Sequence, residues 1–525
     1  MITRIRTMQF SQWAVLAFFA VYLLSGLAIY QDYGISADEQ FQTDKSRLAL
    51  DYVFGRNEKL LTYADRHYGA LFPILLDVPL AFTSDTRDFY FARHLITFLF
   101  YYLGVVLFYR LLRRMRWGRW LALAGTALLV LHPHLFGHSF FNPKDIPYLV
   151  VYIATLYSFV NYLEKQSLPS ALIHGALCGL LVVFRLPGVL MWAATALMML
   201  VLLLARRQPL TVLLRNGLAF LAAALLTLYA FLPALWRDPF NEMRVFLSMD
   251  LFIWAGKELL MGTFYKAEDL PWYHLPVYLA VCTPLVVLGL FGVGHWFTWL
   301  RLRADAALRD PLTQVRLVPL LVFWVSMAVM LIQRPLVYNG WRHIYFVYPL
   351  MVMSALEALE ALPKWLGALG VPARLAQAGT AGLVLAQALV LLAFIIQSHP
   401  YEYVYYNLLA GRNLQNARVR YIMDYWGLSY RQAFEKILAA DGREQITVMV
   451  EREGAAIDNL MILQPWQRAR LRIVSPTDDL PYDYYVTPYR NDVTIDIKRM
   501  RQVDSITVRG ALISGTYVKD ASNKP

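Results

Sequence analysis

The feature that most constrains this chain is its succession of apolar runs. Eleven segments, at about 12–30, 93–112, 119–133, 146–163, 168–184, 187–205, 212–235, 273–300, 316–333, 343–362 and 378–397, are dominated by Leu, Val, Ala and Phe. Most are long enough to cross a hydrocarbon core of roughly 30 Å as a helix. Within such a core the backbone must satisfy its own hydrogen bonds, and runs of this length do so as helices. Composition agrees: 58% of the 525 residues are hydrophobic and only 16% charged, where soluble domains carry about 25%. The chain reads as an all-α polytopic membrane protein with about eleven transmembrane helices.

In that setting the net charge of +12 reads as basic loops facing anionic lipid rather than as a nucleic-acid surface. Cys178 and Cys282 both fall inside apolar runs, so there is no disulfide framework and no zinc-type spacing. The first run follows Arg4 and Arg6 and continues to Tyr30 without a small-residue cleavage site. It reads as an uncleaved span.

Lys and Arg in the short connections set the orientation. Arg110, Arg113, Arg114, Arg116 and Arg119, then Lys165, then Arg206, Arg207 and Arg215, then Arg301, Arg303, Arg309 and Arg316, then Lys364 and Arg374, mark the cytoplasmic side. The opposite loop 31–92 holds ten acidic and six basic residues. An odd number of spans then puts the N-terminus in the cytoplasm and the tail outside. Residues 1–397, with outer loop 31–92, form the membrane domain. Residues 398–525 read as a small extracytoplasmic α+β domain, with strands over Ile446–Val450 and Asp492–Ile497 and a helix over Arg431–Ala440. A second outer region spans about 236–272. Ala37–Phe54 has helical periodicity through Phe41, Leu48 and Tyr52, with Gly55 as its stop, and reads as a helix on the membrane surface.

Three groups of residues can carry chemistry. Ser36-Ala37-Asp38-Glu39 is a capping-box pattern; it equally places two carboxylates at a helix start beside the membrane, where one can act as a general base. Asn142-Pro143-Lys144-Asp145, in a short outer loop with His132, His134 and His138, gathers histidines, a lysine and an acid. Asp145 can cap the next span, and the histidines either pack or bind a metal. Arg93, His94, Arg185, Arg334, Arg342 and His343 stand at span ends on the outer side. A lone arginine there snorkels, but several on the acidic side run against the positive-inside bias, and a bound phosphate would account for them.

Taken in order, these residues resemble the GT-C membrane glycosyltransferases, specifically the protein O-mannosyltransferase and aminoarabinose transferase-like group (family 39 and its relatives). Ala37-Asp38-Glu39 is similar to the group's Asp-Glu motif after the first span. Arg93 opens the second span, Asp145 falls in the second outer loop, and Arg185 stands where many members have a lysine. Leu270-Pro271-Trp272-Tyr273 resembles the group's Pro-Trp-Tyr segment. His67-Tyr68-Gly69 with Pro73 loosely resembles its Gly-Lys-Pro-Pro segment, without the lysine or the paired prolines. The resemblance covers roughly residues 1–400.

The resemblance implies a GT-C-like fold and inverting transfer of a sugar from a polyprenyl-phosphate donor to a protein, lipid or glycan hydroxyl. Asp38 would be the catalytic base, with Glu39 and Asp145 in the catalytic set. Arg93, Arg185, Arg342, Lys144 and His343 would bind the donor phosphate, and His67 and Tyr68 would position substrate. No cofactor is firmly implied and a divalent metal is left open. The membrane would be the inner membrane of a bacterium. Two other functions remain compatible: a flippase or transporter of polyprenyl-linked sugars, and an O-antigen polymerase or ligase.

Overall fold

The computed structural model describes residues 9–204, 209–248, 256–303, 310–490 and 497–519. Arg4, Arg6, Arg206, Arg207, Arg309 and most of the strand expected over 492–497 lie outside the described residues. In chain order the helices are α1 Phe10–Ile29, α2 Glu39–Val53, α3 Leu71–Asp77, α4 Thr86–Arg114, α5 Arg119–Val130, α6 Pro133–Phe141, α7 Asp145–Lys165, α8 Leu168–Phe184, α9 Val189–Leu204 and α10 Leu210–Phe231. There follow α11 Pro239–Ser248, the hairpin β1 Lys257–Leu260 and β2 Thr263–Lys266, α12 His274–Cys282, α13 Leu285–Leu302, α14 Pro311–Gln333, a 3-10 turn Arg342–Val347 leading into α15 Tyr348–Ala368, and α16 Ala373–Ser398.

Among the described residues, nine helices are long and apolar enough to cross a membrane, or ten if the bent pair α5 and α6 is one span. Helix α8 has 17 residues, about 25 Å at 1.5 Å per residue, the lower limit for a span. The expected run 273–300 is broken at Thr283-Pro284 into α12 and α13, and of the two only α13 is of spanning length. Proline there removes a backbone donor and stops α12. Helices α7 and Arg342–Ala368 are buried along most of their length, as befits segments apolar on every side. Gly175 and Gly179 of α8 lie directly against the carbonyls of Phe220 and Ala224 on α10; a side chain at either would force the two helices apart.

The expected outer loop 132–138 is instead helical. α5 and α6 meet at 64°, with Pro133 at the first position of α6, where a missing N–H costs nothing. All of Pro133–Phe141 is buried.

After α16 come α17 Leu414–Arg418, α18 Ser429–Ala440, β3 Ile446–Val450, α19 Glu453–Leu460, α20 Pro465–Arg468, β4 Leu471–Val474, β5 Tyr484–Thr487, β6 Met500–Val508 and β7 Ala511–Lys519. The sheet order is β4-β3-β5-β7-β6, with β3 parallel to both neighbours and β7 antiparallel to both of its own. This unit is bonded to the bundle. The Asn459 side chain exchanges hydrogen bonds with Ile35 N and O at 3.0 and 2.9 Å, and Tyr33 Oη donates to Glu402 at 3.1 Å.

Candidate active site

Asp38 and Glu39 sit at the start of α2, where successive side chains diverge by about 100°. They consequently serve different partners. The expected capping box does not form: Ser36 Oγ is buried without a hydrogen-bond partner among the described residues, and Glu39 turns to Arg93. The Arg93 guanidinium is fully buried and grips Glu39 at 2.6 Å and Asp77 at 2.6 Å. It ties α2, α3 and α4 together and lines neither of the two cavities described below.

Asp38 points the other way. Its Oδ2 accepts from Arg342 Nη1 at 3.0 Å, and the same nitrogen lies 3.4 Å from Asp145 Oδ2. Asp145 Oδ1 lies 2.5 Å from Arg185 Nη2. Asp145, at the first turn of α7, thereby bridges two arginines from distant parts of the chain. It is held by Asn142, which donates from Nδ2 to Asp145 Oδ2 at 2.8 Å and accepts from the Asp145 N–H at 2.8 Å. Asn142 Nδ2 is also 2.7 Å from His138 Nδ1. An amide NH₂ only donates, so His138 Nδ1 accepts and its proton resides on Nε2, which faces Tyr345 Oη and Tyr425 Oη at 3.1 Å each. His132, His134 and His138 pack among aromatic rings. Among the described residues, no group of three His, Cys, Asp or Glu is placed to hold a metal ion.

Two turns aim the arginines. Arg185 interrupts the helices α8 and α9 in an extended conformation, and beside it Gly69 N donates to Val183 O at 2.8 Å, which fixes the His67-Tyr68-Gly69 turn. Arg342 follows a tight turn in which Asn339 and Gly340 both have positive φ. Their N–H groups donate to the buried Glu258 of β1 at 2.8 and 3.0 Å. The Arg342 guanidinium then lies between the rings of Tyr338 and Trp426, 5.0 and 4.7 Å from their centroids. Trp426 is placed by Asp424, whose carboxylate accepts from the N–H groups of Gly427, Leu428 and Ser429 and so caps α18.

Lys144 Nζ stands 4.4 Å over the Tyr68 ring and Lys45 Nζ 5.8 Å over the same ring; neither ammonium forms an ion pair with any described residue. Arg185 Nε, Arg342 Nε and His343 Nδ1 are buried without acceptors among the described residues. Around Asp38 and Asp145 there is thus more cationic donor capacity than the two carboxylates absorb. Burial pushes the Asp38 carboxyl up, but Arg342 and Lys144 outweigh it and hold Asp38 below the usual range. Glu39 is raised by burial in spite of Arg93.

Two cavities meet this cluster. A wide one of about 920 Å³ is lined by Asp38, Lys144, Tyr338 and Arg342 on the bundle side and by Trp426, Arg452 and Asp458 on the C-terminal side. A narrower one of about 150 Å³ is walled by Leu186, Pro187, Phe246, Met330 and Leu336, with Tyr68, Arg185 and His343 as its polar part. His67 also lines the narrow cavity and is bonded to Glu242 at 2.7 Å.

The fold is a known one. Over 98% of this chain and 99% of the other, the structure is similar to ArnT from Cupriavidus metallidurans bound to undecaprenyl phosphate, with a TM-score of 0.52 and 14% identity. Residues 87–236 match the family described as dolichyl-phosphate-mannose-protein mannosyltransferase. The chain therefore shares the fold of ArnT, and its residues 87–236 carry the family match. ArnT from the same organism in the apo state is similar at 15% identity, over 97% and 99% of the two chains, with a TM-score of 0.49. Among curated proteins no significant match is found. The expected fold class, a polytopic helical GT-C-like protein with a small C-terminal sheet unit, is met.

Of the residues singled out in the sequence, Asp38, Lys144, Asp145, Arg185 and Arg342 come together in one network, with Tyr68 and His343 at its edge and Glu39 and Arg93 in a neighbouring one. Lys45, Asp77, Glu258 and Trp426 were not among them. Lys45 lies seven residues beyond Asp38 on a helix, hence on the same face; that spacing was legible. Glu258 and Trp426 reach the site only through tertiary packing.

Proposed function

We propose that this GT-C protein transfers a sugar from a polyprenyl-phosphate donor to an acceptor hydroxyl, with inversion, at the outer face of a bacterial inner membrane. The observation that carries the reading is the meeting of an apolar cavity and a wide polar one at a cluster of cations with spare donors beside Asp38. The apolar cavity suits the first isoprene units of a lipid. Lys144, Arg185 and Arg342 take the phosphate, where negative charge develops as the sugar leaves and preorganised cations act most strongly. The wide cavity takes the sugar and the acceptor.

Asp38 is the base that accepts the acceptor hydroxyl's proton. Paired to Arg342 it is a weak base, because the arginine favours the carboxylate. A donor phosphate competes for the same guanidinium, loosens that pair and raises the proton affinity of Asp38 when substrate is present. Asp145, held by Asn142, keeps Arg185 and Arg342 in register. Arg93 and Glu39 act on position, by fixing the start of α2.

Sidedness follows from charge. The described residues of 31–92, 236–272 and 398–525 gather at the site's end of the bundle, linked by Arg66–Glu242, Glu258–Asn339 and Ile35–Asn459, whereas Arg113, Arg114 and Arg119 mark the turn at the far end of α4. The N-terminus is then cytoplasmic and the C-terminal unit periplasmic.

The test is transfer from a panel of radiolabelled polyprenyl-phosphate sugars in membranes, with the anomeric configuration of the product determined. The proposal expects one donor to be consumed and its anomer inverted. A retained configuration would contradict direct displacement, and a panel left wholly unconsumed would favour the flippase.

A further inference from the structure

Opposite Asp38, the wide cavity is walled by the C-terminal unit, and the transfer chemistry above assigns that wall no task. Its nearest helix is α19, which shows the cavity Gly454, Ala455, Ile457 and Asp458, residues of one helical face. Asp458 is the single ionisable group on that face.

Asp458 is only 7% exposed, yet its carboxyl has no hydrogen bond or ion pair with any described residue. Burial, with the like charges of Glu39 and Asp44 adding to it, pushes that carboxyl up to about 7. A carboxyl largely removed from water and without a protein partner costs stability. Docking of α19 does not require it: that is the work of Asn459, which bonds Ile35 on one side and Gly427 O at 3.2 Å on the other.

We propose that Asp458 is a specificity-determining residue that exchanges a hydrogen bond with a hydroxyl of the sugar or of the acceptor, bound between it and Asp38. The inference rests on the transferase reading. It gives the C-terminal unit a direct part in choosing the substrate. A hydroxyl supplies a donor and an acceptor, and so suits a carboxyl that titrates near neutrality in either of its states.

The test compares full-length wild type, Asp458→Asn and Asp458→Ala, purified in detergent, with KM and kcat measured for donor and acceptor separately. Affinity for sugar-free undecaprenyl phosphate and the melting temperature are measured alongside. Loss of a substrate hydrogen bond to a buried carboxyl raises KM by roughly tenfold or more. Asp458→Ala is expected to show that rise for one substrate, with kcat within about threefold, unchanged lipid-phosphate affinity and a melting temperature no lower than wild type. A rise for the donor means that Asp458 reads the sugar; a rise for the acceptor means that it reads the acceptor. Wild-type KM values for both substrates in both variants would overturn the inference and leave the transferase reading standing. A lowered melting temperature in both variants would make Asp458 a structural residue and overturn it too. Failure of wild type to consume any donor would remove the transferase reading, and this inference with it.

Discussion

Lys45 is 2% exposed and shares the Tyr68 ring with Lys144. Burial and the neighbouring Lys144 push its ammonium down to about 7, with Arg185 adding to the push and Asp65 and Asp38 opposing it. Below that pH Lys45 is charged and adds to the phosphate site; above it the charge is lost. A polyprenyl-phosphate sugar is a phosphodiester with one charge throughout this range, so its affinity is expected to fall about three- to tenfold between pH 6 and pH 8.5. In Lys45→Arg, which stays charged, the affinity should be flat with pH; a fall as large as in wild type would remove Lys45 from the site. Arg93 predicts a stability effect instead. Removing it in Arg93→Ala leaves Glu39 and Asp77 buried and uncompensated, at a cost of about 3–5 kcal/mol, visible as a lower unfolding midpoint in detergent. The charges were legible in the sequence one by one, but their pairings were not, because adjacent residues on a helix start diverge and each partner comes from a distant segment. The buried face of α2 is polar (Glu39, Gln42, Thr43, Lys45 and Ser46), whereas an apolar pattern through Phe41, Leu48 and Tyr52 suggested a face toward lipid; Phe41 is 57% exposed.

At the scale of elements, the β1–β2 hairpin is the support of Arg342. Glu258 accepts two backbone N–H groups of the Asn339-Gly340 turn and the Tyr278 hydroxyl at 2.7 Å. Glu258→Ala strands the two backbone donors, leaving the Tyr278 hydroxyl only Leu259 O at 3.0 Å, and the turn that aims Arg342 loosens. Donor KM is expected to rise at least tenfold while the helix signal in circular dichroism is retained; an unchanged KM would show that Arg342 is aimed without the hairpin. Long apolar elements were legible because their length alone is diagnostic. The breaks were marked by Pro133 and Pro284, but how far the halves bend at each depends on what they pack against, and His132, His134 and His138, polar by type, are buried by tertiary context. In the tail, the strand Ile446–Val450 and the helix ending at Ala440 follow local pattern closely, as alternation and helical periodicity dictate.

For the whole molecule, sidedness and chemistry are one claim: the acidic loop, the C-terminal sheet and the cation cluster share one end of the bundle. Cys178 and Cys282 are both buried, so single cysteines at exposed positions report topology on a quiet background. A membrane-impermeant maleimide applied to spheroplasts is expected to label Gln502→Cys and not Arg374→Cys; the reverse pattern would invert the orientation. The central claim is that Asp38 takes the proton while the cations hold the phosphate. It is tested most directly by measuring donor affinity and single-turnover transfer together in Asp38→Asn. The account predicts donor affinity equal to or tighter than wild type, since Arg342 loses a competitor for the phosphate, and transfer slower by about 10²–10⁴-fold. Transfer at the wild-type rate in a folded Asp38→Asn protein would contradict it.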